Sequence, residues 1–201
     1  GLASSASGGG VSAATAKFAT GPNAAVFTED GRRVAPGSGE RGLVAVGGHT
    51  PLGYYKDEEK SAKTFRIFEG QRWSVPGDWA TVEADGAITL LGRGSQVINT
   101  GGEKVFPEEV EESLKRFPGV RDAAVVGLPD PRFGERICAV VDVADGDQPS
   151  LADLQAHVKA NLADYKVPRD LVFASVVRAP NGKLDYKLVR TQALEALGAK
   201  A

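Results

Sequence analysis

Short β-prone apolar runs separated by glycine turns mark the first half of this chain; apolar stripes at helical spacing mark the second. Ala25-Val26-Phe27 and Leu43-Val44-Ala45-Val46 are such runs. Glu29-Asp30-Gly31 between them supplies a turn that accepts positive φ, so residues 24–46 predict a hairpin. A second hairpin is predicted over 80–91, where Ala84-Asp85-Gly86 joins Ala80-Thr81-Val82 to Ile88-Thr89-Leu90-Leu91. Between the two hairpins, Asp57 to Phe68 is compatible with a helix capped by Asp57. Residues 24–92 thus read as a small β-rich unit.

After Arg93 the pattern becomes mixed. Pro107 followed by Glu108 and Glu109 is a helix start, with proline at the first helical position and acids at the positive end of the dipole. Val110, Leu114 and Phe117 form its buried stripe, and Pro118-Gly119 stops it. Ala123 to Leu128 predicts a strand closed by Pro129-Asp130-Pro131, and Ile137 to Val143 a second. Ser150 and Asp153 have capping-box spacing ahead of a stripe at Leu151, Leu154, Val158 and Leu162. Leu171 to Val177 predicts a third strand, and Asp185 caps a last helix carrying Leu188 and Leu197. A domain boundary is expected near 92–95. The class is α+β: a β-rich unit over 1–92 and a small mixed α/β domain over 93–201.

Composition narrows the function classes. The 201 residues carry 24 Lys+Arg against 26 Asp+Glu, a net charge of −2, which argues against a nucleic-acid footprint. No apolar run approaches the roughly 20 residues of a membrane helix. The single Cys138 excludes an intrachain disulfide and favours a reducing, cytoplasmic setting; within an apolar run it reads as core and not as a nucleophile. His49 and His157 lack partners at metal-ligand spacing, so no protein-only metal site is expected. The chain has no methionine and begins Gly-Leu-Ala-Ser-Ser, which suggests part of a longer protein. Residues 1–10 have the composition of a linker and equally of a phosphate-handling loop.

Four clusters bear candidate chemistry. Pro76-Gly77-Asp78 places a carboxylate at a loop–strand junction, where it can accept from a ligand's vicinal hydroxyls or bond its own backbone as a turn residue. Gly92-Arg93-Gly94-Ser95 sets an arginine suited to phosphate or sugar between two glycines; alone it is also an ordinary flexible turn. In Asn99 to Glu111, the pair Gly101-Gly102 permits close approach of a ligand to the backbone beside Lys104, or makes a hairpin tip. Pro180-Asn181-Gly182-Lys183 is a tight turn presenting a lysine, read either as a mobile cation or as a solvated basic patch.

Taken in order, these clusters resemble the C-terminal part of the adenylate-forming superfamily of acyl-CoA synthetases, luciferases and peptide-synthetase adenylation domains. Leu52-Gly53-Tyr54-Tyr55, Pro76-Gly77-Asp78, Gly92-Arg93, Gly101-Gly102 with Pro107 to Glu111, Ala123 to Gly127, Tyr165-Lys166-Val167-Pro168 and Gly182-Lys183 all match family motifs. The likeness is greatest to bacterial fatty-acyl and sterol-side-chain CoA ligases. It implies a barrel-like β subdomain followed by a mobile C-terminal domain. It also implies ATP with Mg2+, CoA, and a fatty or sterol-derived carboxylate as ligands. By the same resemblance Asp78 binds ribose hydroxyls and Arg93 ribose or phosphate. Ser95 lies at the hinge, Lys183 stabilises charge during adenylation, and Gly101, Gly102 and Lys104 line the pantetheine tunnel.

Two positions depart from the family pattern. Ser95 stands where the hinge usually has Asp or Lys. Ala6 stands where a glutamate usually ligates Mg2+, while Ser5 aligns with a hydroxyl that touches the α-phosphate. The chain contains no Ser/Thr/Gly-rich phosphate loop with lysine and no large domain for an acyl pocket. The expectation is therefore a segment of an acyl-CoA ligase that is inactive by itself. A carrier-protein-loading enzyme and a non-catalytic binding module are the alternatives.

Overall fold

A computed structural model describes residues 16–19, 21–144 and 148–198. They form two compact units, the first running through Ser95 and the second starting at Gln96.

The first unit is built on strands β1 (Lys17–Phe18), β2 (Ala24–Phe27), β3 (Gly42–Val46), β4 (Phe65–Phe68), β5 (Gln71–Ser74), β6 (Asp78–Val82) and β7 (Ile88–Arg93), with helix α1 (Glu58–Thr64) between β3 and β4. They join in one sheet, ordered β1-β7-β6-β3-β5-β4 with β2 paired to β3. Apolar side chains leave both faces. Phe27, Ala45, Phe68, Trp73 and Val75 pack on one, Val26, Val34, Ala80, Val82 and Ile88 on the other. The sheet is open among the described residues, so the barrel-like expectation holds only as far as a β-rich unit. Closure needs every strand paired on both sides, whereas β1 pairs with β7 and β4 with β5 alone.

Both predicted hairpins form, β2 with β3 and β6 with β7, each antiparallel. The helix expected over 57–68 is shorter. Asp57 caps it by accepting from the Lys60 amide at 3.0 Å, but it ends at Thr64. Residues 65–68 instead form β4, which returns through Glu69 and Gly70 to β5. Both turn residues have positive φ, 51° and 74°, as a tight two-residue hairpin demands. Pairing as a hairpin buries Phe65, Phe68 and Trp73 together. Burial of those rings outweighs the helix propensity of the flanking charged residues.

In the second unit, β8 (Ile98–Thr100) and β9 (Glu103–Val105) precede α2 (Pro107–Lys115). The long hairpin β10 (Val120–Asp130) and β11 (Gly134–Val143), helix α3 (Leu151–Asn161), β12 (Asp170–Phe173) and helix α4 (Tyr186–Ala196) follow. The sheet order is β10-β11-β8-β9, and β12 lies parallel to β11 across the α3 crossover. Alternation along β10 divides the core. Ala123 and Val125 pack with Val110, Leu114, Leu154 and Val158 of α2 and α3, whereas Ala124 and Val126 pack with Val189, Ala193 and Leu194 of α4. The sheet is thus covered on both faces.

The capping box of α3 is present in full: Ser150 accepts from the Asp153 amide, and the Asp153 carboxylate accepts from the Ser150 amide. Three details differ from the sequence reading. The strand expected over 171–177 stops at Phe173. The β10 strand runs on to Asp130 because Pro129 lies on an edge strand, where its missing N–H is harmless. The buried stripe of α4 is Val189, Ala193 and Leu194, whereas Leu188 and Leu197 are 52% and 37% exposed.

Candidate active site

Asp78 opens β6 directly after Gly77, whose φ of +95° turns the chain into the strand. Asp78 and Arg93 are cross-strand partners, and Arg93 Nε donates to Asp78 Oδ1 at 3.2 Å. The Gly94 amide donates to the Gly77 carbonyl at 3.0 Å. Pro76-Gly77-Asp78 and Gly92-Arg93-Gly94, separate clusters in the sequence, are therefore one structure at the end of the β6–β7 ladder. Gly94 is required by contact, since a Cβ there would stand 2.7 Å from the Trp79 indole nitrogen. Gly92 (φ +152°) faces Trp79 at a bulge in the ladder. Asp78 is partly exposed and Arg93 more so, an acid and a base side by side at an open strand end. Ser95 lies in the 3-10 turn Gly94–Gln96.

In the second unit Gly101 and Gly102 are the two turn residues of the β8–β9 hairpin, with φ of +60° and +89°. The hairpin-tip reading of these residues is thus correct as local structure. The Gly101 amide donates to the Phe133 carbonyl at 2.9 Å, and the Phe133 ring lies beside Gly101. The guanidinium carbons of Arg169 and Arg132 stand 4.0 and 4.9 Å from that ring's centre. A Cβ on Gly102 would meet nothing within 4 Å, so the approach to that turn is open. Lys104 is half-buried on β9. Phe133 and Arg169 escaped sequence reasoning because they lie far along the chain from Gly101 and belong to no glycine-rich motif.

Lys183 ends a tight turn. The Gly182 amide donates to the Ala179 carbonyl and the Ala179 amide to the Lys183 carbonyl, both at 2.8 Å. The Asn181 Oδ1 accepts from the Lys183 amide at 3.1 Å, and Gly182 takes φ +79°. The lysine is exposed.

Behind this turn lies a buried acid the sequence reading treated only as part of a motif. Glu111 of α2 is 3% exposed; its carboxylate accepts from the Val125 amide at 2.9 Å and from the Tyr186 hydroxyl at 3.3 Å. Burial pushes its pKa up to about 7. Cys138 is wholly buried on β11, and burial pushes its thiol up to about 12, so it is core as expected. His157 Nε2 donates to the Ser113 carbonyl. Among the described residues no three His, Cys, Asp or Glu side chains gather as a metal site. Ser5 and Ala6 lie outside the described residues.

Comparison with known proteins follows these motifs. Residues 109–183 match the family described as AMP-binding enzyme C-terminal domain. The chain is 56% identical over 166 residues to a medium/long-chain-fatty-acid–CoA/3-oxocholest-4-en-26-oate–CoA ligase of Mycolicibacterium smegmatis, covering 82% of this chain and 30% of the relative. It therefore spans about a third of the length of such relatives. Among solved structures it resembles the amide bond synthetase McbA of Marinactinospora thermotolerans, with a TM-score of 0.74 and 36% identity over 85% of this chain and 35% of that one. It also resembles o-succinylbenzoate CoA synthetase of Bacillus subtilis in complex with the acyl-adenylate OSB-AMP, with a TM-score of 0.73 and 27% identity over 84% and 34%. Those likenesses and the ordered motifs agree: residues 109–183 belong to the family of AMP-binding enzyme C-terminal domains, and the chain around them is similar to about a third of a CoA ligase.

Proposed function

We propose that these residues form the C-terminal segment of an ATP-dependent acyl-CoA ligase, which joins a carboxylate to CoA through an acyl-adenylate and releases AMP and pyrophosphate. The observation that carries the reading is the 56% identity to a ligase named for fatty and sterol-derived acids. The acceptor is a thiol, the substrate a fatty or sterol-derived carboxylate, and the setting cytoplasmic. A likeness to an acyl-adenylate complex supports the intermediate. The first unit then belongs to the large adenylation domain, and the residues from 93 onward to its mobile partner.

In this reading the Asp78 carboxylate accepts from the two ribose hydroxyls, and Arg93, held against it, reaches ribose or phosphate. Attack of the substrate carboxylate on the α-phosphorus builds negative charge on phosphoryl oxygens, which the Lys183 ammonium offsets. Ser5 touches the same phosphate. Thioester formation needs that cation withdrawn and a thiol admitted. Rotation about Ser95 exchanges the Lys183 turn for the Gly101–Gly102 turn, whose open side and neighbouring Lys104 admit pantetheine. Ala6 has no ligating side-chain atom. Among the described residues no three His, Cys, Asp or Glu side chains gather to hold Mg2+, so the steps above rest on this chain's own side chains.

The test is a pair of half-reactions in the full-length enzyme. Lys183→Ala is expected to abolish acid-dependent pyrophosphate exchange while sparing thioester formation from supplied acyl-adenylate. Equal loss of both would overturn the assignment. The 201-residue chain alone is expected to show no exchange, and turnover by it would refute the segment reading. Offering CoA, a carrier protein or an amine as acceptor distinguishes the ligase from its superfamily alternatives. Failure of the full-length protein to bind an acyl-adenylate analogue would favour a non-catalytic module.

A further inference from the structure

Arg178 ties the lysine-bearing turn to the sheet. Its Nε and Nη2 donate to Asp122 Oδ2 and Oδ1, each at 2.8 Å, and its Nη1 donates to the Gly182 carbonyl at 2.9 Å. One planar guanidinium thus bridges the start of β10 and the residue immediately before Lys183. Its backbone adds to the grip, since Arg178 and Leu184 form an isolated antiparallel bridge that closes the turn at its base.

The contact is more than a surface ion pair. The fork–fork geometry uses the rigid donor pattern of arginine, which the point charge of lysine cannot reproduce. Asp122 also accepts from the Ala123 amide, so its carboxylate is tied to the strand by a bond that does not involve the arginine. The pair is mutually reinforcing: the Asp122 carboxyl is held below its ordinary range by the Arg178 hydrogen bonds, and the guanidinium is held more firmly charged. Beyond the turn, the Tyr186 hydroxyl donates to Glu111 of α2. Both flanks of the lysine turn are therefore anchored to the core by polar bonds.

We propose that Arg178 is a positioning residue for Lys183, fixing the turn against Asp122 so that the exposed ammonium starts from one defined backbone position. The proposal rests on the adenylation role assigned to Lys183 above. The physical reason is tolerance. Displacing a charge-stabilising group by about an ångström costs on the order of a hundredfold in rate, and a lysine side chain is too flexible to correct for a loose backbone.

The experiment compares Arg178→Gln, Arg178→Lys, Asp122→Asn and Lys183→Ala in the full-length enzyme. Arg178→Gln is expected to lower kcat for pyrophosphate exchange by about tenfold to a hundredfold, with KM for ATP and thioester formation from supplied acyl-adenylate unchanged. Arg178→Lys and Asp122→Asn should show smaller losses in the same half-reaction. Hydrogen exchange of residues 179–183 should quicken in Arg178→Gln while the β10–β11 amides keep their protection. Normal adenylation in Arg178→Gln alongside a dead Lys183→Ala would overturn the positioning role and leave the functional reading intact. Equal loss of both half-reactions in Arg178→Gln, Arg178→Lys and Asp122→Asn would also overturn it, as a folding defect. Normal adenylation in Lys183→Ala would overturn both readings.

Discussion

The Lys166 ammonium lies 2.8 and 2.9 Å from the two carboxylate oxygens of Glu109, and each residue is only 8% exposed. The pair joins the first turn of α2 to the 3-10 turn Asp164–Lys166. It sits within the Tyr165-Lys166-Val167-Pro168 motif, which the sequence suggested only as a family match.

Breaking this pair from one side leaves an uncompensated buried charge, at a cost of about 3–5 kcal/mol. The two sides differ. Glu109 is in the first turn of α2, where the helix dipole favours an anion, so it tolerates loss of its partner better than Lys166 does. Denaturant unfolding should therefore show Glu109→Leu more destabilising than Lys166→Met. The double variant should be destabilised far less than the sum of the singles. Additive losses would mean the charges do not meet in solution.

Stability of the second unit should fall as pH rises through the range set by Glu111. Its pKa is raised from 4.5 to about 7, so the folded state binds the proton more tightly than the unfolded chain does. The contribution is full below the unfolded value and is lost as pH climbs toward 7, at no more than roughly 1.4 kcal/mol per pH unit and about 3 kcal/mol in all. Glu111→Gln keeps an acceptor for the Val125 amide and a polar group facing Tyr186. It should flatten the profile and exceed the parent chain in stability above pH 7. A parallel decline in the variant would assign the effect elsewhere.

The β8–β9 turn separates two effects of a side chain. Gly102→Ala meets no neighbour within 4 Å but must hold φ near +89°, a cost of about 1–2 kcal/mol. Gly101→Ala carries a similar strain and also meets the Phe133 ring at 3.2 Å, so it should cost more. Gly102→Asn should be the mildest of the three, because asparagine enters that region most readily among the other residues. Thermal midpoints in a different order would refute this turn geometry.

At the other site the expected outcome is a dissociation of function from stability. The Asp78–Arg93 pair is half open to solvent, so Asp78→Asn should change the melting free energy by less than about 1 kcal/mol. Titration of the full-length enzyme with an acyl-adenylate analogue should nevertheless show weakened binding. Unchanged affinity would remove Asp78 from the nucleotide site.

Much of the architecture was legible in the chain itself. Ser150 with Asp153, Pro107 with its acids, and the two Asp-Gly turns act through bonds between near neighbours, so their sequence signal survives folding. The helix overrun from Thr64 to Phe68 and the misassigned stripe of α4 fail for one reason: which apolar residues are buried depends on a distant partner surface. Phe65 is buried by the β4–β5 pairing, and Val189 by the face of β10 and β11.

The same division holds for the candidate site. The sequence by itself determined the order of Asp78, Arg93, Gly101-Gly102 and Lys183, the turns that carry them, and the family they signal, because each motif is a local backbone requirement. Only the tertiary structure decided that Asp78 meets Arg93, that Phe133 backs Gly101, and that Arg178 and Asp122 hold the Lys183 turn. Those contacts join residues far apart in the chain, and it is the packing of the sheets that brings them within hydrogen-bonding reach.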